Sequence, residues 1–373
     1  MASHPILVGI NPPAKPPLSQ LRLLTRASRL IGMDTMMIWD HFQDFIPQAL
    51  WTEENTWLVE QLKYPHEHYD YQVLLGHLAA YAGNMRLGVG VTEPIRRHPV
   101  LIAQAMMTLS HMTKRPPILG IGAGERENTE PYGLSIDRSV GRLEEALQII
   151  RRCYTSRGPF SFEGEFFQLD GAVMDLVPED GKAPPIWVAA HGPRMLRLTG
   201  QYGDGWYPTI PYSRDEYGDR LSTIRNHAQE AGRDPSGIVG SLSVPAFIAS
   251  SDKEARDILE LRASRIVGLT FPAEVFERHG LTHPLGSQFK GFADFIPESY
   301  SEEELDHALD QITPEFLAQT VIWGSPDTLA EYFRQLGEGG LRHVVLTPVS
   351  ALASKKVMNM LPLALRRLRR NLQ

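Results

Sequence analysis

The sequence predicts an α/β protein, a (β/α)8 TIM barrel with insertions at the C-terminal face. Three observations carry that expectation. Short apolar and β-branched runs alternate with longer segments of helical period, the pattern of parallel βα units. Eight such runs can be counted, and no Gly-x-Gly-x-x-Gly follows the first to support a doubly wound nucleotide fold. The 373 residues exceed the ~250 of a bare barrel. The surplus marks insertions.

Taken in order, the first strand is 6–10, and a Pro-rich loop leads to a helix at 18–31 stopped by Gly32. The second strand, 35–39, ends in Asp40-His41, and the loop 44–66 is too long for a simple connector. A helix at 71–82, the third strand at 86–91 and a helix at 99–110 with Pro99 in its first turn follow. The fourth strand is 117–122, and 139–154 is a helix. Residues 160–169 alternate with period two around a glycine, as a hairpin outside the barrel does. Strands five to seven are 186–190, 205–208 and 238–249, with a helix at 194–202. A helix at 326–336 and the turn 337–340 precede the eighth strand, 344–347. The whole chain, 1–373, is read as one domain with a large insertion at about 250–320, whose stretch 271–300 is rich in Phe, Pro and Gly.

Composition narrows the function. With 42% hydrophobic and 22% charged residues the chain is neither disordered nor a disulfide scaffold. Lys and Arg number 37 against 44 acidic residues, a net charge of −7 with no basic domain, which argues against a nucleic-acid partner. The one cysteine, Cys153, forms no internal disulfide and reads as a buried structural thiol compatible with the cytoplasm. No run reaches the ~18 apolar residues of a membrane span, and the N-terminus does not read as a signal peptide. Leu361, Leu365, Leu368 and Leu372, interleaved with Arg366, Arg367, Arg369 and Arg370, predict an amphipathic helix docked on the barrel wall; contact with a membrane surface is the alternative.

In a barrel, chemistry gathers where strands end at the C-terminal face. Four neighbouring strand ends carry unusual residues: Asp40-His41, the run 90–94, the run 123–128 and Ala189-Ala190-His191-Gly192-Pro193-Arg194. The last places a glycine and free N–H groups at a helix N-terminus, which suits an anion such as phosphate. The 13 histidines are scattered, and His66 and His68 have no acidic or cysteine set nearby in sequence, so no metal is expected. No Gly-x-Ser-x-Gly elbow is present.

At these strand ends the sequence resembles the bacterial-luciferase-like superfamily of flavin and deazaflavin enzymes. The matching pieces are Trp39-Asp40-His41, LGVGVTEPIRRHPVLIAQ (87–104), LGIGAGERENTEPYG (119–133) and PPIWVAAHGPRMLRLTGQYGDGWYP (184–208). Gly124-Glu125-x-x-Asn128 resembles the enzymes that use coenzyme F420, a deazaflavin. An almost end-to-end likeness, including Glu-Arg-Glu before Pro-Tyr-Gly and Arg278-His279-Gly280 through Asp294, is to the mycobacterial phthiodiolone dimycocerosate ketoreductases.

The resemblance implies a set of roles. Asp40 and His41 would lie at the reactive edge of the ring and Glu125 near its pyrimidine side, with Ala123, Gly124 and Asn128 around it. Gly90-Val91 would be a cis peptide behind the ring. Ala189, Ala190, His191, Gly192 and Pro193 would hold the phosphate. Phe45 stands where the sugar-phosphate and secondary-alcohol dehydrogenases of the superfamily carry tryptophan, which favours the ketoreductase branch. From the aromatic residues of the loop 44–66 and the stretch 271–300, Phe45, Trp51, Phe289 and Phe292 are expected to line an apolar channel for a lipid- or polyketide-like substrate; the alternative is that these aromatics pack the insertion onto the barrel. The family commonly forms homodimers.

The expected activity is hydride transfer between F420 and a ketone or secondary alcohol. His41 would be the acid, Asp40 its orienting partner or a cofactor contact, and Glu125 a second proton-exchanging group. The alternative is an FMN-dependent monooxygenase using reduced flavin and O2, and a third reading is a cofactor-sequestering protein without turnover.

Overall fold

A computed structural model of the chain describes residues 4–178 and 181–373. The described strands are β1 (Leu7–Ile10), β2 (Thr35–Ile38), β3 (Arg86–Thr92), β4 (Ile118–Ile121), β5 (Phe160–Glu163), β6 (Gln168–Ala172), β7 (Ile186–Val188), β8 (Gly205–Trp206), β9 (Val239–Ile248), β10 (Ile322–Gly324) and β11 (His343–Thr347). Eight of them close a parallel ring in the order β1-β2-β3-β4-β7-β8-β9-β11, with β11 returning to β1. All eight predicted barrel strands are found. Their apolar runs are buried on both faces, every residue of β2 and β4 included, because helices cover the outside and side chains fill the inside.

One strand escaped the sequence reading. The lower part of β9 pairs with β11 through Ser241–Pro245, while Ala246–Ile248 diverge to pair with β10 outside the ring. Three residues, Ile-Trp-Gly, leave too short a run to register as a period. The predicted hairpin is present as antiparallel β5 and β6, and its tip is tied down by Glu145, which accepts the N–H groups of Glu165, Phe166 and Phe167.

Helix ends follow local chemistry. Asp70 caps Tyr71–Ala82 by accepting the N–H groups of Gln72 and Val73, and Gly83 ends it. His98 caps Pro99–Met112, with Pro99 at its start. Cys153 lies fully buried on the inner face of Ser139–Thr155, and burial pushes its thiol up to about 11, as suits a structural residue.

Residues 250–320, for which the sequence predicts only an insertion, form the helices Asp252–Leu259, Arg262–Leu269, Ala273–Arg278, Glu302–Asp310 and Pro314–Thr320. Their apolar faces enclose a core that also takes in Ile46, Leu50, Trp51 and Leu62 from the loop 44–66. A polar tether joins the same two segments. His66 Nδ1 accepts the Asp44 N–H at 2.9 Å, its Nε2 meets Glu298 Oε1 at 2.8 Å, and Glu298 also accepts the Gln48 N–H at 2.7 Å.

The C-terminal helix Lys355–Asn371 docks on the barrel wall through Val357, Leu361, Ala364, Leu365 and Leu368. Arg367 pairs with Asp327, and Arg369 lies 3.4 Å from Asp34. No described helix is long and apolar enough to cross a membrane.

Candidate active site

The site begins with two consecutive side chains that part company after β2. Asp40 is almost fully buried, and its carboxylate accepts Thr92 Oγ1 at 2.6 Å and Arg97 Nη1 at 2.7 and 3.0 Å. Arg96 Nη2 lies 3.1 Å from the same carboxylate and donates to the Asp40 carbonyl at 2.8 Å. These partners come from the end of β3 and its following turn. Among the described residues Asp40 makes no hydrogen bond to His41, so the expected orienting contact is not there. Asp40 instead fixes the β3 turn against β2.

His41 is turned toward the loop after β4. Its Nε2 lies 3.7 Å from Glu125 Oε2, and its Nδ1 lies 3.3 Å from Glu127 Oε1 and 3.2 Å from Asn128 Nδ2. Gly124, at φ +102°, lets the chain turn after β4, and the 3-10 turn Arg126–Asn128 then swings Glu127 and Asn128 inward. Asn128 Oδ1 accepts the Phe42 N–H at 2.8 Å, which fixes the amide so that its Nδ2 donates to Glu127 Oε1 at 2.9 Å. The two loops are stitched together around the imidazole.

Burial is the largest influence on His41 and lowers its pKa, with Glu125 opposing and Arg96 adding to the effect. The imidazole is therefore neutral at pH 7. Burial also raises Glu125, to about 8, helped by the neighbouring Glu127 charge, although 31% of the Glu125 side chain remains open to solvent. Glu127, with no exposed surface, is raised to about 8 by burial. The two carboxyl groups lie close enough for the protonation of one to depend on the other. His41, Glu125 and Glu127 bring ligand-type atoms within 4.8 Å of one another. Each carboxyl group also faces its own nitrogen of the ring, Glu125 at Nε2 and Glu127 at Nδ1. That geometry suits proton exchange.

The floor is made of small residues. The Gly90–Val91 peptide is cis, as the resemblance implied. A Cβ on Gly90 would lie 2.9 Å from the Tyr207 hydroxyl and 3.0 Å from Met37 Cβ, so only glycine fits. Asn11 Nδ2 donates to the Gly90 carbonyl at 3.1 Å. At the end of β7, Trp206 Nε1 donates to the Ala190 carbonyl and Arg220 to the His191 carbonyl. The His191 ring is held by Tyr212 and Thr209, and burial with Arg220 lowers its pKa to about 4. The helix Pro193–Tyr202 then starts with no side-chain cap, and a Cβ on Gly192 would meet nothing within 4 Å. This is an open cradle at a positive helix end. The uncapped N–H groups at this helix start, with open space at Gly192, are a donor set of the kind an anionic tail requires.

The four expected substrate residues divide. Phe45 packs 5.0 Å from the His41 ring, between centroids, and Phe292 packs behind it at 4.5 Å from Phe45. Trp51 is instead buried in the core shared by loop and insertion, with its indole N–H on the Leu62 carbonyl. Phe289 stacks on His283 and packs with Ala273 and Phe295. Both are packing residues. His66 and His68 also differ from expectation, because Glu298 and Asp44 reach them from distant segments.

The pattern of the luciferase-like monooxygenase family matches residues 11–343. The chain belongs to that family. A phthiodiolone/phenolphthiodiolone dimycocerosates ketoreductase of Mycobacterium tuberculosis is 36% identical over 334 residues, 89% of this chain and 88% of the relative. Two solved structures share the fold. An F420-dependent secondary alcohol dehydrogenase in complex with an F420-acetone adduct superposes with a TM-score of 0.75 at 18% identity, covering 99% of both chains. The oxygenating constituent of 3,6-diketocamphane monooxygenase from Pseudomonas putida, in complex with FMN, gives 0.66 at 20% identity over 98% of this chain and 97% of the other.

The residues that sequence reasoning missed are Glu127, Arg96, Arg97 and Thr92. Glu127 carried one signal, a second glutamate two positions after Glu125. Arg96 and Arg97 carried none, since basic residues after a strand are ordinary.

Proposed function

We propose that the chain is an F420-dependent oxidoreductase that transfers hydride between the deazaflavin and the carbonyl of a lipophilic ketone, or the reverse from a secondary alcohol. The observation that carries this reading is His41 held between a carboxyl group at each ring nitrogen, beside an apolar wall and above a cradle for an anion. The 36% identity to a ketoreductase supports it. Leu23, Leu30, Val73 and Leu101, exposed on neighbouring outer helices, support the expected homodimer.

When bound, the deazaflavin supplies the hydride. The residues of this chain manage position and proton. The free N–H groups of Gly192 and of the residues after Pro193 would hold the phosphate, and Gly90-Val91 would back the ring. Phe45 and Phe292 take the apolar part of the substrate and keep water from the carbonyl. His41 places Nε2–H where the substrate oxygen gains its proton, and Glu125 exchanges protons between Nε2 and solvent.

The FMN monooxygenase reading is favoured by one observation, the likeness to a barrel solved with FMN. Titrating the protein separately with oxidised F420 and FMN, followed by fluorescence, distinguishes the two. Saturable F420 binding supports the proposal. Tight FMN binding without F420 binding overturns it.

A further inference from the structure

Glu127 is a carboxyl group with no exposed surface and no function in the reading above. Such a group is costly to bury ionised without a dedicated cation. Arg96 faces it, with its Nε on Glu93 and its Nη2 on Asp40, while its Nη1 has no hydrogen-bond partner. Glu127 Oε1 accepts from Asn128 and lies 3.3 Å from His41 Nδ1, while its Oε2 has no hydrogen-bond partner. Burial raises its pKa to about 8, which agrees with that environment. The groups facing Glu127 are His41, Glu125, Glu93 and Arg96; those facing His41 are Glu125, Glu127, Asp40, Asp44, Arg96 and His68.

We propose that Glu127 is a carboxylic acid that delivers its proton through the neutral imidazole of His41, so that a buried carboxyl, and not an imidazolium, is the source of the proton given to the substrate oxygen. This rests on the ketone-reduction reading. As the carbonyl carbon takes the hydride, its oxygen takes the proton of His41 Nε2: the Nε2–H bond breaks and an O–H bond forms. Nδ1 takes the proton of Glu127: the carboxyl O–H breaks and Nδ1–H forms. The imidazole stays neutral and changes tautomer. The negative charge ends on Glu127, where the Asn128 N–H and Arg96 face it. Glu125, open to solvent, then returns a proton to Nε2, and Nδ1 gives its proton back to Glu127. Glu127 is thus a positioning and proton-holding residue that acts through His41.

Infrared difference spectroscopy of the cofactor-free protein reads the carbonyl stretch of a protonated carboxyl group without any turnover. Wild type at pH 7 is expected to show such a band, fading as pH rises through about 8. Glu127→Gln should lose the share of the intensity that Glu127 contributes beside Glu125, and Glu127→Asp should keep it. No band in wild type at pH 7, or an undiminished band in Glu127→Gln, overturns the proposal. With reduced F420 and 2-decanone as probe, Glu127→Gln should lower kcat roughly 10²- to 10⁴-fold. It should also lose the alkaline limb of the pH profile, with F420 affinity unchanged. A wild-type kcat and pH profile in that variant also overturns it. Failure of wild type to bind F420 strikes the proposed function instead, while the infrared result still decides the role of Glu127.

Discussion

Phe45 and Phe292 meet edge to face, 4.5 Å between ring centroids, one from the loop after β2 and the other from the 250–320 insertion. Phe45 also packs 5.0 Å from His41, so the contact links the insertion to the imidazole. Under the proposed function the extra length of this barrel would bear on substrate, and the strand ends would hold the cofactor.

Phe45→Ala and Phe292→Ala should each raise KM for long-chain methyl ketones about tenfold, since each removes ~1.5–3 kcal/mol of aromatic burial. F420 affinity should stay near wild type. Steady-state kinetics across a ketone chain-length series checks this. An equal loss for acetone and for 2-decanone would mean the pair only packs the insertion.

Asp40 pairs with both Arg96 and Arg97 in a buried setting. Asp40→Ala removes the carboxylate that Arg96 and Arg97 share, leaving them only Glu93 and Asp70, and breaking a buried pair costs up to about 3–5 kcal/mol. Urea denaturation should show a clearly lowered midpoint. An unchanged midpoint would move Asp40 from a structural clamp to a purely chemical role.

Gly192 has φ −81° and ψ 162°, which any residue adopts, and open space where a side chain would stand. Gly192→Leu should therefore keep the thermal midpoint while filling the cradle. We expect F420 affinity to fall at least tenfold. Calorimetric titration beside a thermal melt separates the two effects, and unchanged affinity would place the phosphate elsewhere.

Glu127 binds its proton more tightly in the folded chain, at about 8 against an ordinary 4.5. Its contribution to stability is then fully present below pH 4.5 and is lost as pH rises through about 8. The thermal midpoint of wild type, relative to Glu127→Gln, should fall between pH 5 and pH 8. A difference that is flat or rises over that window contradicts a protonated Glu127.

The parts of the molecule legible in the sequence are those written locally. The eight barrel strands announce themselves as apolar runs, and the Gly192-Pro193 start of a helix and the Asp40-His41 strand end sit at fixed places along them. The parts that were not legible depend on distant partners. Arg97 reaches Asp40 across 57 residues, and His66 reaches Glu298 across 232. Neither pairing leaves a periodic trace. Trp51 and Phe289 misled for the same reason, since an aromatic residue in an insertion reads alike whether it faces a substrate or a second core. β10 was too short to show a pattern, and Glu127 needed the 3-10 turn at Arg126–Asn128 to bring it beside His41.

The account turns on hydride transfer from a deazaflavin to a carbonyl without oxygen. Mixing the protein anaerobically with reduced F420 and 2-decanone, and following the return of the oxidised F420 absorbance, measures that step alone. The account predicts reoxidation that requires the ketone and is lowered roughly 10²- to 10⁴-fold in His41→Ala. No anaerobic reoxidation with any ketone in the chain-length series, together with O2-dependent turnover supported by reduced FMN, would contradict it.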